Sequence, residues 1–128
     1  MSNISYSAVV LNDKSKQRLI NKFTDYIPNE FELNNSFHMT INMGEINPEY
    51  KKYVGISVQL EVINYAITNN MFIIGVKGFF SENIKPYISL ATNKKDSSKI
   101  NHNDLDWINL KHPIKISGKV TEVEIKFE

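Results

Sequence analysis

The sequence predicts an α+β fold, an antiparallel sheet with one main helix packed on it. Three observations carry this. Short apolar segments alternate with polar residues at the two-residue period of strands. Only Leu19, Ile20, Phe23 and Ile27 repeat at helical spacing. The turns between strand segments are short, which favours antiparallel neighbours.

The elements follow in order. Tyr6 to Leu11 is rich in β-branched residues and reads as an opening strand. Asp13 is placed to cap the helix, with Lys14, Lys16, Arg18 and Lys22 facing water and Pro28 ending the pattern. Phe37 to Met43 alternates, with Phe37, Met39, Ile41 and Met43 on one face and His38, Thr40 and Asn42 on the other. Pro48 to Tyr53 forms one or two helical turns. Ile56 to Ala66 and Met71 to Lys77 are strands joined by a turn at Thr68-Asn69-Asn70. Tyr87 to Ala91 is a short strand entered from Pro86. Asn93 to Asn109 is polar and irregular, a loop long enough to act as a lid. Ile114 to Phe127 closes the chain in extended form. Its apolar residues switch from even to odd positions, so a bulge or bend is expected near Gly118 to Glu122.

With 128 residues and no linker or low-complexity run, the chain reads as a single domain, 1–128. Fifteen basic residues against fourteen acidic ones leave a net charge of +1, too little for a global field toward nucleic acid or membrane. The absence of cysteine excludes thiol nucleophiles, disulfides and zinc–thiolate sites. The N-terminal residues lack signal-peptide character and no apolar run spans a bilayer, so a cytoplasmic protein without membrane contact is expected. The abundance of Asn, Lys and Ile hints at AT-rich coding DNA, as in a firmicute-like bacterium or a phage.

Two segments share one pattern. Phe37-His38-Met39-Thr40-Ile41-Asn42 and Pro86-Tyr87-Ile88-Ser89-Leu90-Ala91 each place a polar ring and a hydroxyl on alternate positions. His38 and Thr40 therefore project together, as do Tyr87 and Ser89. Facing each other across a cleft, they would surround a phosphate with hydrogen-bond donors.

The His-x-Thr pattern at His38 and Thr40 resembles the first signature of the two-histidine (2H) phosphoesterases. Pro86-Tyr87-Ile88-Ser89 stands where that family carries its second His-x-Thr/Ser. The stretch from Asn83 to Thr92, with Lys95-Asp96-Ser97-Ser98 and Trp107, is similar to the phosphodiesterase domain of fungal-type tRNA ligases. The resemblance implies a curved antiparallel sheet in two pseudo-symmetric lobes about a central cleft. It also implies a phosphodiester site needing no metal or other cofactor, with one histidine as base and the other as acid. Tyr87 occupies the second histidine's place. A phenol, with a pKa near ~10, can donate a proton but is poorly matched as a base.

The catalytic or binding set expected is thus His38, Thr40, Tyr87 and Ser89, with Lys85 against phosphate and Tyr6 stacked on a base. The ligand is a nucleotide with a cyclic or strained phosphodiester, either a cyclic nucleotide messenger or an RNA end. It is sequestered or turned over slowly, as by a phage protein that blunts host signalling. The alternatives are an active phosphodiesterase using His38 with Tyr87 or with His102 or His112, and a protein–protein module on a decayed enzyme fold. His38 could equally be a half-buried strand residue, Tyr87 a cross-strand aromatic, and Lys85 a solvated lysine. His102 lacks the second clustered histidine a metal site needs.

Overall fold

The computed structural model describes residues 3–95 and 105–124. In chain order the elements are β1 (Ile4–Leu11), α1 (Asp13–Phe23), a 3₁₀ turn (Thr24–Tyr26), β2 (Glu32–Leu33) and β3 (His38–Met43). A second 3₁₀ segment (Pro48–Tyr53) follows, then β4 (Ser57–Ile67), β5 (Met71–Lys77), β6 (Tyr87–Thr92) and β7 (Ile108–Glu124).

All seven strands belong to one antiparallel sheet in the order β2-β6-β5-β4-β7-β1-β3. This corrects the expected α+β fold with its two lobes: the molecule is mostly sheet. The reason lies in β7. Its seventeen residues pair with β4 on one side and with β1 on the other, so what would be two halves is welded into a single sheet. Gly118 lies between Leu11 of β1 and Val58 of β4 in this pairing. A Cβ there would lie 2.6 Å from the Val10 carbonyl oxygen, so only glycine fits between the flanking strands.

Of the bulge or bend expected near Gly118 to Glu122, the pairing with β1 shows no bulge. The β1 partners run without a break from Leu11 opposite Gly118 to Ser7 opposite Glu122. Instead of an apolar side chain, Glu122 continues the inward phase. It accepts from the Ile46 backbone N–H at 3.1 Å and pairs with Lys51 at 2.8 Å. The two irregularities in the pairing of β7 fall elsewhere. One lies in β1 between Ile4 and Tyr6. The other lies where Ile114 faces Val62 but Asn109 faces Asn64, leaving extra β7 residues that include Pro113. Proline has no N–H for the ladder, which suits it to that position. Residues 125–127 lie outside the described residues.

Asn12 rather than Asp13 caps α1: its side chain accepts from the Ser15 N–H at 2.8 Å. Helix α1 ends at Phe23, and Ile27 packs on the core from beyond it. Leu19 and Phe23 are buried, and Phe23 meets Tyr65 and Phe72 with ring centroids 5.6 and 5.5 Å away. Burying such a side chain stabilises by roughly 1.5–3 kcal/mol. Ser15 ties the helix to the sheet by accepting from the Ser117 N–H. The Thr68 hydroxyl accepts from the Asn70 and Met71 N–H groups and closes the β4–β5 hairpin.

The core includes Met39 and Ile41 from β3, Leu60 and Val62 from β4, Phe72 and Ile74 from β5, and Ile88 and Leu90 from β6. Met43, expected to join them, is 67% exposed at the strand end. Alternation then fixes the other face of β3 and β6, where the polar residues stand.

A candidate phosphodiester pocket

Strands β3 and β6 are not neighbours in the hydrogen-bonded order, yet they approach each other as the sheet curls. The segment between β5 and β6 bridges them. Ser81 Oγ donates to the Thr40 carbonyl at 2.8 Å, and the Glu82 N–H donates to the Ile41 carbonyl at 2.7 Å. Between the two strands opens a pocket of about 350 Å³ that includes His38, Thr40, Tyr87 and Ser89 in its lining. The structure therefore brings together all four residues that the two similar strands present. Asn34, Ser36, Met71 and Asn83 complete the lining.

Ser89 and His38 are held by different devices. Asn34 follows β2 and its amide donates to the Ser89 carbonyl at 2.8 Å and to Ser89 Oγ at 2.9 Å. Its own side-chain oxygen accepts from Thr92 Oγ1, and its backbone N–H donates to the Leu90 carbonyl. Asn34 is thus the clamp that sets Ser89. Replacing Asn34 with Ala should cost about 1–3 kcal/mol, because it leaves part-buried partners on β6 unpaired. Chemical denaturation of the variant checks this, and an unchanged midpoint would show that water replaces the clamp.

His38 carries the ring of Tyr6 over it, with centroids 5.2 Å apart and planes 29° from parallel. Ser36 Oγ lies 3.5 Å from His38 Nδ1, a long contact that a bound oxygen can replace. Burial pushes the imidazole below its ordinary value of 6.5. Burial likewise raises the Tyr87 phenol above 10.0. At neutral pH the pocket therefore offers a neutral imidazole beside a fully protonated phenol.

The lowered imidazole has a consequence for stability. The unfolded chain takes up a proton at the ordinary histidine value, whereas the folded chain resists it. This contribution is complete above 6.5 and is lost as pH falls through the window between the unfolded and folded values. Thermal unfolding between about pH 7.5 and about pH 5 should show a steeper loss for wild type than for His38→Gln. Parallel profiles would contradict the burial of the imidazole.

Among the described residues that line the pocket there is no carboxylate, lysine or arginine. Lys85, expected against the phosphate, lines a neighbouring pocket instead. Tyr6 lies on His38 rather than in the lining. His112 is exposed on β7 and does not line the pocket; His102 lies outside the described residues, as does most of the expected lid. Asn34 and Asn83 were missed by the sequence analysis. The only available signal for Asn34 was its position shortly before the His-x-Thr strand.

No group of three or more His, Cys, Asp or Glu side chains placed to hold a metal occurs among the described residues. Among the same residues, no helix is long and apolar enough to cross a membrane. Compared with known proteins, the chain matches no family model and no curated protein.

Proposed function

We propose that this pocket binds a nucleotide through a cyclic or strained phosphodiester and holds it with little turnover, in the cytoplasm. The observation that carries the reading is the convergence of an imidazole, a phenol and two hydroxyls, from two separate strands, on one pocket. The resemblance of His38-x-Thr40 and Pro86-Tyr87-Ile88-Ser89 to the two-histidine signatures supports it; the two-lobed fold of that family is not needed for it. A cyclic nucleotide messenger and an RNA end with a 2′,3′-cyclic phosphate both present the required group.

Charge favours a diester. A phosphodiester carries one negative charge, and His38, the one switchable cation among the described residues of the lining, can neutralise one. The anion raises the imidazole's proton affinity, so His38 binds a proton with the ligand and donates a charge-assisted hydrogen bond. Thr40, Tyr87 and Ser89 supply neutral donors. A phosphate monoester, with nearly two charges, finds no second cation among the described residues of the lining.

A second reading, slow hydrolysis, is favoured by the burial of His38, which keeps its imidazole neutral as a base in the same pocket as the Tyr87 phenol. Neutral His38 takes a proton from water as the oxygen attacks phosphorus. The Tyr87 phenol gives its proton to the departing ribose oxygen, and the ring opens to a monoester. Burial makes Tyr87 a still weaker acid, which slows the second transfer. Incubation with excess 2′,3′-cyclic, 3′,5′-cyclic and cyclic di- and trinucleotides, and with RNA ending in a cyclic phosphate, separates the readings. Intact ligand at one equivalent, released on denaturation, supports sequestration. Product in many-fold excess supports catalysis. No interaction with any of them would leave a protein partner as the better account.

A further inference from the structure

Beside the phosphodiester pocket lies a second one, of about 540 Å³, whose lining includes Asn64, Gly75, Ile84 and Trp107. The two are neighbours on one face of the sheet. Gly75 pairs with Asn64 across β4–β5 and with Tyr87 across β5–β6. Directly opposed residues project to the same side, so Asn64, Gly75 and Tyr87 form one row. Tyr87 lines the first pocket, and Asn64 and Gly75 line the second.

This second pocket carries two unsatisfied polar atoms. Asn64 Oδ1 and Trp107 Nε1 are both buried without a hydrogen-bond partner. One is an acceptor and the other a donor, and buried groups of either kind are almost always paired. Gly75 makes room for this arrangement: a Cβ there would fall 1.9 Å from Asn64 Oδ1 and 3.3 Å from the indole. Ile84 stands at the rim and is 88% exposed, an apolar side chain with no protein surface to cover it.

From these features we infer that the Asn64–Gly75–Trp107 pocket is a nucleobase subsite for the nucleotide whose phosphodiester sits against His38, an inference that rests on the function proposed above. A base edge offers adjacent donor and acceptor groups. Its amino or ring N–H donates to Asn64 Oδ1, while a ring nitrogen or carbonyl accepts from Trp107 Nε1. Gly75 leaves the space over the sheet that the Asn64 side chain and the indole fill, which sets the two polar atoms side by side, and the indole and Ile84 supply apolar contact. The row from Asn64 to Tyr87 crosses two strand spacings, roughly 10 Å, within the span of a single nucleotide.

The test uses the fact that Trp107 is the only tryptophan of the chain, so its fluorescence reports this pocket alone. Adenosine, guanosine, cytidine and uridine, which carry no phosphate, are titrated into the wild-type protein. At least one should quench Trp107 saturably, and His38→Ala should retain that quenching. Asn64→Leu, of similar shape but without the acceptor, should weaken the preferred nucleoside about tenfold. The same substitution should raise the Tm of the ligand-free protein, because it removes an unpaired buried polar atom. Trp107→Phe, followed by calorimetry, should also weaken binding. Nucleoside binding without binding of any cyclic phosphate would sustain the subsite and overturn the phosphodiester reading. Cyclic nucleotides that bind Asn64→Leu and Trp107→Phe as tightly as wild type, with no nucleoside quenching, would overturn the subsite.

Discussion

Replacing Tyr87 with His should raise hydrolysis of a bound 2′,3′-cyclic phosphate by about 10²–10⁴-fold, the usual worth of one general acid–base group. Tyr87 lines the same pocket as His38, on a strand whose alternation also presents Ser89. Its phenol is pushed upward by burial, away from the range in which a proton is exchanged readily at neutral pH. An imidazole at that position titrates near neutrality and can give a proton to the leaving oxygen. The measurement is single-turnover hydrolysis by excess Tyr87→His protein, compared with wild type. A variant that binds the cyclic phosphate yet stays inert would show that the two strands do not place their rings on opposite sides of phosphorus.

Replacing His38 with Ala should weaken phosphodiester binding by about 1.5–3 kcal/mol, roughly 10- to 100-fold, the range of a hydrogen bond to a charged group. The loss should shrink as pH rises, because the wild-type imidazole must take up a proton to meet the anion. Binding by wild type should therefore tighten as pH falls below neutrality, and binding by the variant should stay flat. Calorimetric titration at several pH values checks both statements. Equal affinity and equal pH dependence in the two proteins would remove His38 from the site.

Much of this pocket was legible in the sequence, and the physical reason is alternation. A strand's two-residue period assigns His38 and Thr40 to one face and Met39 and Ile41 to the other without knowledge of any partner. The same holds for Tyr87 and Ser89 against Ile88 and Leu90, and the buried set bears this out. What alternation cannot supply is which strands pair. The similarity of β3 and β6 suggested two lobes, whereas the long β7 joins both halves in one sheet. Of the first residues of β7, Ile108 and Asn109 fell in the polar loop expected from Asn93, because no periodic pattern marks them; they belong to the strand through pairing with Tyr65 and Asn64 of β4. Strand β2 is only two residues long and leaves no periodic trace.

The polar partners were harder to find for a related reason. Asn34, Asn64 and Asn83 are common residues in an asparagine-rich chain, and nothing local separates a clamp from a solvated turn. Asn34 acquires its role only because β2 pairs with β6 and brings its amide to Ser89. Asn64 acquires its character only because Gly75 lies beneath it. Such roles arise from contacts between residues far apart in sequence, which no periodicity encodes.

The titration of the His38 ring, followed by nuclear magnetic resonance with and without a cyclic nucleotide, tests the central claim most directly. With three histidines in the chain, substitution of His38 assigns its signals. The account expects the free imidazole to titrate below 6.5 and a bound phosphodiester to move that titration upward. A ligand that binds the protein and leaves the His38 titration where it was would contradict it.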